Sequence, residues 1–253
     1  MRSVPILTFH SLDDSGSTVA TAPRHFDQEM DRLAAAGWTG CGVGRILDWT
    51  RGAADLPQKS LGICFDDGYR NVSSVALPTL RRHGFTATVF VITGRCGSDN
   101  RWPGQSRTIP AAPLLDWDEL GALVAAGWEI GAHGATHAPL VHLSREQIAD
   151  EVEGARESLA RRLGVDAALF AYPYGAFDAT VRDAVERSYQ GACGVRMGAV
   201  RRGSDPYDLP RFDAYYLRSR SYAETLGGSA GRAYLTLRGW IRRLRRRRPW
   251  EPV

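Results

Sequence analysis

Cysteine is scarce in this sequence of 253 residues, and the four that occur lie far apart: Cys41, Cys64, Cys96 and Cys193. No two of them form a Cys-x-x-Cys pair, and a small disulfide-stabilised scaffold needs a higher density of cysteine. We therefore expect reduced thiols. With 43% hydrophobic and 24% charged residues, the composition is typical of a globular protein that can bury a sizeable core.

Long hydrophobic runs and targeting signals are also absent from the sequence. No window approaches about 18 consecutive apolar residues, the length that indicates a transmembrane helix. The apolar run Val4–Phe9 is too short for the core of a signal peptide, and no Ala-x-Ala cleavage site follows it. We therefore expect a cytoplasmic protein.

Acidic residues are nearly missing from residues 232–253, which contain eight arginines and the single acid Glu251. The net charge of this segment is +7, and the formal net charge of the whole chain is +4, so the rest of the chain has a net charge of −3. We expect Gly227–Gly231 to be a linker and the Arg-rich tail to be either an amphipathic helix or disordered. An amphipathic tail would attach peripherally to the inner face of a membrane. Nucleic acid is not an expected partner, because the mildly acidic remainder carries no recognition motif.

Two clusters of polar residues follow predicted buried strands. Leu61–Phe65 has the apolar character of a buried strand and ends on Asp66-Asp67-Gly68. A second strand, Trp128–Ala132, leads directly into the cluster His133-Gly-Ala-Thr-His137. Asp-Gly after a strand is also a common turn, and two nearby histidines also occur as plain loop residues. Carboxylates at one strand end and histidines at another are nevertheless what a metal site in an α/β fold needs.

Strands alternate with helices along the whole chain, which favours one α/β domain with a mainly parallel sheet. About seven such units indicate a barrel of the (β/α) type rather than an open sheet. In such barrels the working residues lie where the strands end. The side chains predicted at those positions are His10, Asp66, Asp67, His133, His137, Tyr174 and Arg211. Residues 94–113 are expected to form a long surface loop, in which Trp102 is as well suited to touching a substrate as to packing.

The polar residues at these strand ends are suited to hydrolysis. Two histidines and a carboxylate with one open position form the ligand set of a hydrolytic zinc site. A second carboxylate can accept a proton from the attacking water, and a histidine can protonate the leaving nitrogen. His10 is the candidate for this acid, because it ends the first predicted strand and can be protonated near neutral pH.

Three motifs, Phe65-Asp-Asp-Gly68, His133-x3-His137 and Pro173-Tyr-Gly175, resemble the polysaccharide deacetylase family in their order and separation. This family has the NodB-homology domain of carbohydrate esterase family 4. The resemblance covers roughly residues 4–215. It implies a distorted, seven-stranded, TIM-barrel-like (β/α) barrel, which we place in residues 1–225, followed by the linker and tail in residues 226–253.

The resemblance also implies roles for individual residues. Asp66 is similar to the family's general base, and Asp67, His133 and His137 are similar to the ligands of its divalent metal, most often Zn²⁺, with Co²⁺ or Ni²⁺ as alternatives. The backbone N–H of Tyr174 resembles the donor that stabilises the tetrahedral intermediate. The implied reaction is hydrolysis of an N-acetyl group on an amino sugar of a polysaccharide, an oligosaccharide or a lipid-linked glycan.

The sequence departs from the family pattern at two positions. Many members have an arginine that pairs with the base, and Ala171 stands in its place here, so Arg211 from another strand is the candidate substitute. Many members also have a late acidic histidine, but no histidine follows His142. His10, in a motif similar to one found in a subgroup acting on exopolysaccharide or lipid-linked sugars, is the candidate for that role. Two alternatives stay open: a hydrolase of another C–N bond, such as a deformylase or a non-sugar amidohydrolase, and a degenerate glycan-binding barrel.

Overall fold

The computed structural model describes residues 2–228, 231, 233–235 and 237–239, and strands alternate with helices along this part of the chain. The strands are β1 (Ser3–Val4), β2 (Ile6–Phe9), β3 (Thr39–Cys41), β4 (Ser60–Phe65), β5 (Thr88–Val91), β6 (Glu129–Ala132), β7 (Leu169–Ala171), β8 (Gly191–Cys193), β9 (Val200–Arg201) and β10 (Phe212–Asp213). The α-helices are α1 (Pro23–Ala35), α2 (Val43–Arg51), α3 (Leu77–Arg82), α4 (Trp117–Ala125), α5 (Arg145–Leu163), α6 (Ala179–Ser188) and α7 (Tyr222–Gly227).

Seven strands form one curled sheet in the order β10-β2-β4-β5-β6-β7-β8, and every neighbouring pair is parallel. A parallel bridge between Cys193 and Leu209 links β8 to the segment that leads into β10, so the two edges of the sheet approach each other. β3 pairs with the first half of β4, and β1 pairs with β9 in a separate antiparallel ribbon. The predicted distorted, seven-stranded (β/α) barrel is confirmed.

Residues alternate along β4 between two apolar layers, and this alternation positions the site. Leu61, Ile63 and Phe65 face the helices, and Phe65 stacks between Phe9 and Trp128 with ring centroids 5.5 and 5.8 Å away. Cys64 faces the barrel interior, as expected from its alternation with Phe65. Because successive side chains point to opposite faces, the residue after Phe65 points into the barrel.

Some elements differ from the sequence-based expectation. Pro5 divides the first predicted strand into β1 and β2, because it has no N–H for the ladder. The helical segment that follows the two aspartates begins as a π-helix, Val72–Ala76, before it continues as α3. β3 and α2 were not predicted. α5 begins at a capping box, in which Ser144 and Gln147 satisfy each other's backbone N–H groups.

The described residues near the C-terminus continue the packing of the domain. α7 packs against α1, and Leu226 and Leu235 are buried. The boundary placed after residue 225 stays a prediction, and the part of the tail from residue 240 onward lies outside the described residues.

None of the described helices combines the length and the apolar character that crossing a bilayer requires. The cytoplasmic location stays a prediction.

Candidate active site

All seven candidate residues line one cleft of about 350 Å³ at the carboxyl ends of the barrel strands. The opposite walls come from the loop between β5 and α4 and from the segment after β2. These walls contribute Val19, Trp102, Gly104, Gln105, Ser106 and Ile109. The structure therefore brings together side chains that lie more than 200 positions apart, from His10 to Arg211.

The turn after β4 separates the side chains of the two adjacent aspartates. The N–H of Asp66 still continues the sheet by donating to the carbonyl of Phe9 at 2.9 Å. Asp67 then takes a left-handed backbone conformation, with φ of +68°, and Gly68 follows with φ of +74°. Two such residues in succession reverse the chain sharply. As a result, Asp66 faces Arg211 while Asp67 faces the two histidines.

Asp67, His133 and His137 form a compact, buried ligand set. Oδ1 of Asp67 lies 3.4 Å from Nε2 of His133 and 3.4 Å from Nε2 of His137. The three candidate ligand atoms all lie within 4.8 Å of one another. Bonds of about 2.0–2.1 Å to a tetrahedral ion separate its ligand atoms by about 3.3–3.4 Å. The spacing and the chemistry of this Asp-His-His set therefore fit a divalent metal ion.

Both histidine rings are held in the orientation that such a site needs. Nδ1 of His133 donates to the carbonyl of Ala171 at 2.7 Å, since a carbonyl oxygen only accepts, and this leaves the Nε2 lone pair toward Asp67. His137 has a left-handed backbone with φ of +68°. Its ring lies between the rings of Trp102 and Tyr174, with centroid distances of 4.4 and 4.5 Å.

Glu151 on α5 fixes the loop that carries the histidines, and sequence reasoning missed it. Its Oε2 accepts hydrogen bonds from the N–H of Ala135 at 2.8 Å and of Thr136 at 3.0 Å, and its Oε1 accepts from the Thr136 hydroxyl. A Cβ on Gly134, whose φ is +78°, would lie 2.8 Å from Oε2, so the loop needs glycine there. The sequence did contain a signal for Glu151, because this acidic residue falls within the buried, otherwise apolar face of α5.

Arg211 pairs with Asp66 inside the barrel. Its Nη1 and Nη2 donate to the two carboxylate oxygens at 2.7 and 2.9 Å, and its Nε donates to the carbonyl of Gly194 at 3.0 Å. Arg211 and Asp66 are each 4% exposed. Arg211 is therefore a buried residue of the site and not a surface arginine.

The electrostatics of the cluster favour charged aspartates and a neutral His137. Burial opposes ionisation of Asp66, but the charges of Arg211 and nearby imidazoles outweigh it, so the pKa of Asp66 is lowered. Burial also opposes ionisation of Asp67, but the surrounding imidazoles, His133 first, outweigh it, so the pKa of Asp67 is lowered. Burial lowers the pKa of His137 to about 3, which leaves it neutral, the form that binds metals. The site is therefore prepared to attract a cation.

The remaining candidates border the same cleft. His10 follows β2 and is half-buried, and Tyr174 has a left-handed backbone with φ of +57° in the turn after β7. Trp102 is 4% exposed, so the long loop folds over the site instead of standing away from it. Asn100 ties this loop down through hydrogen bonds to the Tyr69 hydroxyl at 3.1 Å and to the Pro110 carbonyl at 2.9 Å.

Comparison with known families agrees with this site. The family model described as polysaccharide deacetylase matches residues 53–190, more than half of the chain. The chain belongs to the polysaccharide deacetylase family. The prediction of this family, and of an enzyme of this class, is confirmed. The matched range contains Asp66, Asp67, His133, His137 and Tyr174, whereas His10 and Arg211 lie on either side of it.

The relatives found by sequence are distant, and a solved structure of low sequence identity has a similar fold. YxkH of Bacillus subtilis is 23% identical over 209 residues, which cover 82% of this chain and 70% of that protein. The poly-beta-1,6-N-acetyl-D-glucosamine N-deacetylase of Staphylococcus aureus is 24% identical over 173 residues, and the match covers 62% of this chain and about half (54%) of that enzyme. The structure of IcaB from Ammonifex degensii superposes with a TM-score of 0.74 at 22% identity, covering 88% of this chain and 98% of that one.

Proposed function

We propose that this polysaccharide deacetylase removes N-acetyl groups from an amino sugar in a polysaccharide, an oligosaccharide or a lipid-linked glycan. The observation that carries the proposal is the joint placement, in one cleft, of the buried Asp67-His133-His137 set and the Arg211-paired carboxylate of Asp66. Family membership gives the reaction class, and this geometry supplies one residue for each of its chemical tasks.

A divalent ion, most often zinc for such a ligand set, is the proposed cofactor, held by Asp67, His133 and His137. Co²⁺ and Ni²⁺ are alternatives that accept the same mixed nitrogen and oxygen donors. When bound, such an ion polarises a carbonyl group and makes a water molecule more acidic. The protein's own contribution is to hold the His133 ring through the Ala171 carbonyl and the loop that leads to His137 through Glu151.

Asp66 is the proposed general base, and it accepts a proton from the attacking water. Arg211 occupies one lone pair on each carboxylate oxygen, and each oxygen retains a second one for a proton. The ion pair also prevents rotation of the carboxylate, so the base keeps one orientation toward the cleft. Arg211 thus acts through Asp66 and takes the place of the arginine that Ala171 does not provide.

His10 is the proposed general acid, and it delivers a proton to the nitrogen of the departing amine. It borders the cleft next to Asp66 at the ends of two adjacent strands, since Phe9 pairs with Phe65. The backbone N–H of Tyr174 is the proposed donor to the oxyanion that forms at the carbonyl. The left-handed conformation of Tyr174 turns this segment toward the cleft.

The names of the relatives support an N-acetylated sugar as the substrate. The S. aureus relative is named for N-deacetylation of a β-1,6-linked polymer of N-acetylglucosamine. A cleft of about 350 Å³ has room for about one sugar unit with its acyl group. We therefore place the scissile amide over the Asp66 side of the cleft, with the loop around Trp102 against the sugar.

The test is a panel of amino-sugar substrates with acyl release as the readout. β-1,6-linked N-acetylglucosamine oligomers, N-acetylglucosamine and their N-formyl counterparts are incubated with zinc-loaded wild-type protein, Asp66→Asn and the surface control Arg187→Gln. Acetate release by wild type and Arg187→Gln, and loss of at least about 100-fold in Asp66→Asn, supports the proposal. Faster formate than acetate release would replace it with the deformylase alternative. No turnover of any amide would reject it.

A further inference from the structure

A cluster of aromatic and basic side chains lies beside the cleft. We call it the basic aromatic patch and define it as Tyr215, Tyr216, Arg218, Arg220, Tyr234, Leu237 and Arg238. The guanidinium of Arg218 lies 3.7 Å from the ring centroid of Tyr215, and that of Arg220 lies 3.9 Å from the ring centroid of Tyr234. Arg238 adds a third cation over the rings of Tyr216 and Tyr234, at 5.3 and 5.6 Å.

The three arginines of this patch stack on aromatic rings instead of pairing with carboxylates. Within the part of the chain that the structure describes, none of Arg218, Arg220 and Arg238 forms a salt bridge with a carboxylate. Elsewhere on the surface, Arg182 pairs with Glu186 and Asp205. The aromatic faces hold the guanidinium groups without neutralising their charge. The patch therefore presents a net positive charge.

Leu237 adds an exposed apolar side chain to the same surface. Its side chain is 61% exposed, and among the described residues it is the one large hydrophobic side chain that is strongly exposed. It lies next to Arg238 and three positions after Tyr234 on a helical segment. An exposed leucine among tyrosines and arginines without acidic partners is the composition of a surface that enters the boundary between lipid head groups and acyl chains.

The patch is connected directly to the wall of the cleft. Asp213 lines the cleft, and its carboxylate accepts a hydrogen bond from the N–H of Tyr215 at 2.9 Å. Tyr216 in turn accepts, through its carbonyl, a hydrogen bond from the Tyr234 hydroxyl at 3.0 Å. The patch thus follows the carboxyl end of β10, the end at which the cleft opens. A flat partner bound to the patch would lie beside the entrance of the cleft.

We infer that the basic aromatic patch is a docking surface for an anionic lipid membrane, which brings the cleft entrance to the bilayer surface. The phosphates of anionic head groups match the three guanidinium groups that lack acidic partners, and Leu237 enters the apolar boundary. The sequence supplies further positive charge directly after the patch, with six arginines between residues 242 and 248. This inference does not depend on the proposed function, because docking requires neither catalysis nor a metal ion.

The test is cosedimentation of the full chain with vesicles of phosphatidylcholine alone or with about one third phosphatidylglycerol. The variant Arg218→Gln/Arg220→Gln/Arg238→Gln removes three charges from the patch and leaves the tail intact. Its matched control, Arg81→Gln/Arg145→Gln/Arg161→Gln, removes three charges from exposed positions elsewhere. We expect the patch variant to bind anionic vesicles about 100-fold more weakly than wild type, and the control to bind them within about twofold of wild type.

Two further variants distinguish membrane docking from a purely structural role of the patch. The triple Arg→Lys variant should restore binding, because attraction to a charged surface needs charge and not the guanidinium fork, whereas a purely structural role for the stacked arginines would leave it unrestored. Leu237→Ser should weaken binding about tenfold while leaving the thermal unfolding midpoint unchanged. Equal binding by wild type and the patch variant would overturn the inference, as would absence of binding to anionic vesicles. The patch variant is also tested with a short DNA duplex. If it loses DNA binding but binds vesicles as wild type does, the inference is overturned as well.

Discussion

Arg211 and Asp66 form a buried, two-point ion pair across 145 positions of the sequence, with N–O distances of 2.7 and 2.9 Å. The pair connects the segment before β10 with the end of β4, and Arg211 also donates to the Gly194 carbonyl after β8. It therefore ties together both edges and the centre of the curled sheet. The same contact orients the proposed base, so the arginine that we propose as the substitute for the family's arginine has a structural task as well.

Substitution of Arg211 by Gln is expected to cost both stability and activity. It leaves Asp66 buried without its cationic partner, a change that costs about 3–5 kcal/mol of unfolding free energy. Urea unfolding of wild type, Arg211→Gln and the exposed-pair control Arg187→Gln measures this. The control loses its surface pair with Asp183 and should change the free energy by no more than about 0.5 kcal/mol. Equal losses in the two variants would show that the Arg211 pair is no more than a surface contact.

Substitution of His10 by Asn is expected to slow amide hydrolysis about 10²–10⁴-fold, because the departing amine loses its proton donor. The metal content should remain that of wild type. An aryl acetate ester provides the internal control, since its leaving group departs without a proton, and its hydrolysis should change by less than about threefold. The half-buried His83, which pairs with Asp31 at 2.8 Å and does not line the cleft, serves as the matched His→Asn control. Similar losses on the ester and the amide would remove His10 from the role of acid.

Substitution of Glu151 by Ala is expected to weaken metal binding about 10–100-fold, because the loop from His133 to His137 loses three hydrogen bonds to one carboxylate. Competition with a zinc chelator measures the affinity. Glu151→Gln keeps one acceptor oxygen and should fall between wild type and Glu151→Ala. Substitution of the exposed Glu153 by Ala on the same helix is the control and should leave the affinity unchanged. Wild-type affinity in Glu151→Ala would mean that the loop holds its shape without this carboxylate.

Glu129 is expected to make stability fall as the pH rises. Burial raises its pKa above the ordinary value although Thr88 and the N–H of Gly44 donate to it. The folded protein therefore holds this proton more tightly than the unfolded chain, and the benefit is complete below the unfolded pKa and lost as the pH rises through the folded pKa. Glu129→Gln should gain stability relative to wild type by up to about 1.4 kcal/mol per pH unit across that window.

Urea midpoints of wild type and Glu129→Gln between pH 4 and pH 8 measure this difference. The difference between the two midpoints should grow as the pH rises, and the variant should be the more stable protein at pH 8. Curves that converge as the pH rises would show that the carboxylate is more stable in the fold than in water. The exposed Glu153→Gln serves again as the control, and its difference in stability from wild type should be the same at both pH values.

The local pattern was sufficient to predict the strands that carry the site. β4 reads as an apolar run ending on Asp66 and Asp67, and Ser144 with Gln147 marks the start of α5, because these signals are local. β3 and α2 escaped prediction for a local reason too. β3 has three residues with a glycine at its centre, and α2 begins without a side-chain cap. Neither element has a local signal strong enough to be recognised without its neighbours in the fold.

The supporting residues could be recognised only in part, because their roles are tertiary. Arg211 could be proposed as the partner of Asp66 because Ala171 stands where the family's arginine is expected. Arg211 lies far from Asp66 along the chain, however, so the sequence contained no evidence that the two side chains meet. Glu151 lies 16 positions from Ala135, and only the folded loop turns two N–H groups toward it. The basic aromatic patch likewise depends on stacking between residues near 215 and residues near 234, which no spacing rule relates.

The most direct test is a titration of metal-free protein with zinc, in which bound metal and acetate release from a β-1,6-linked N-acetylglucosamine oligomer are recorded at each point. We predict that acetate release rises in proportion to bound metal and stops rising at about one ion per chain, and that Asp67→Asn neither retains the ion nor releases acetate. Full activity in the metal-free protein, or a wild-type chain that binds no ion at this site, would contradict a metal-dependent deacetylase built on Asp67, His133 and His137.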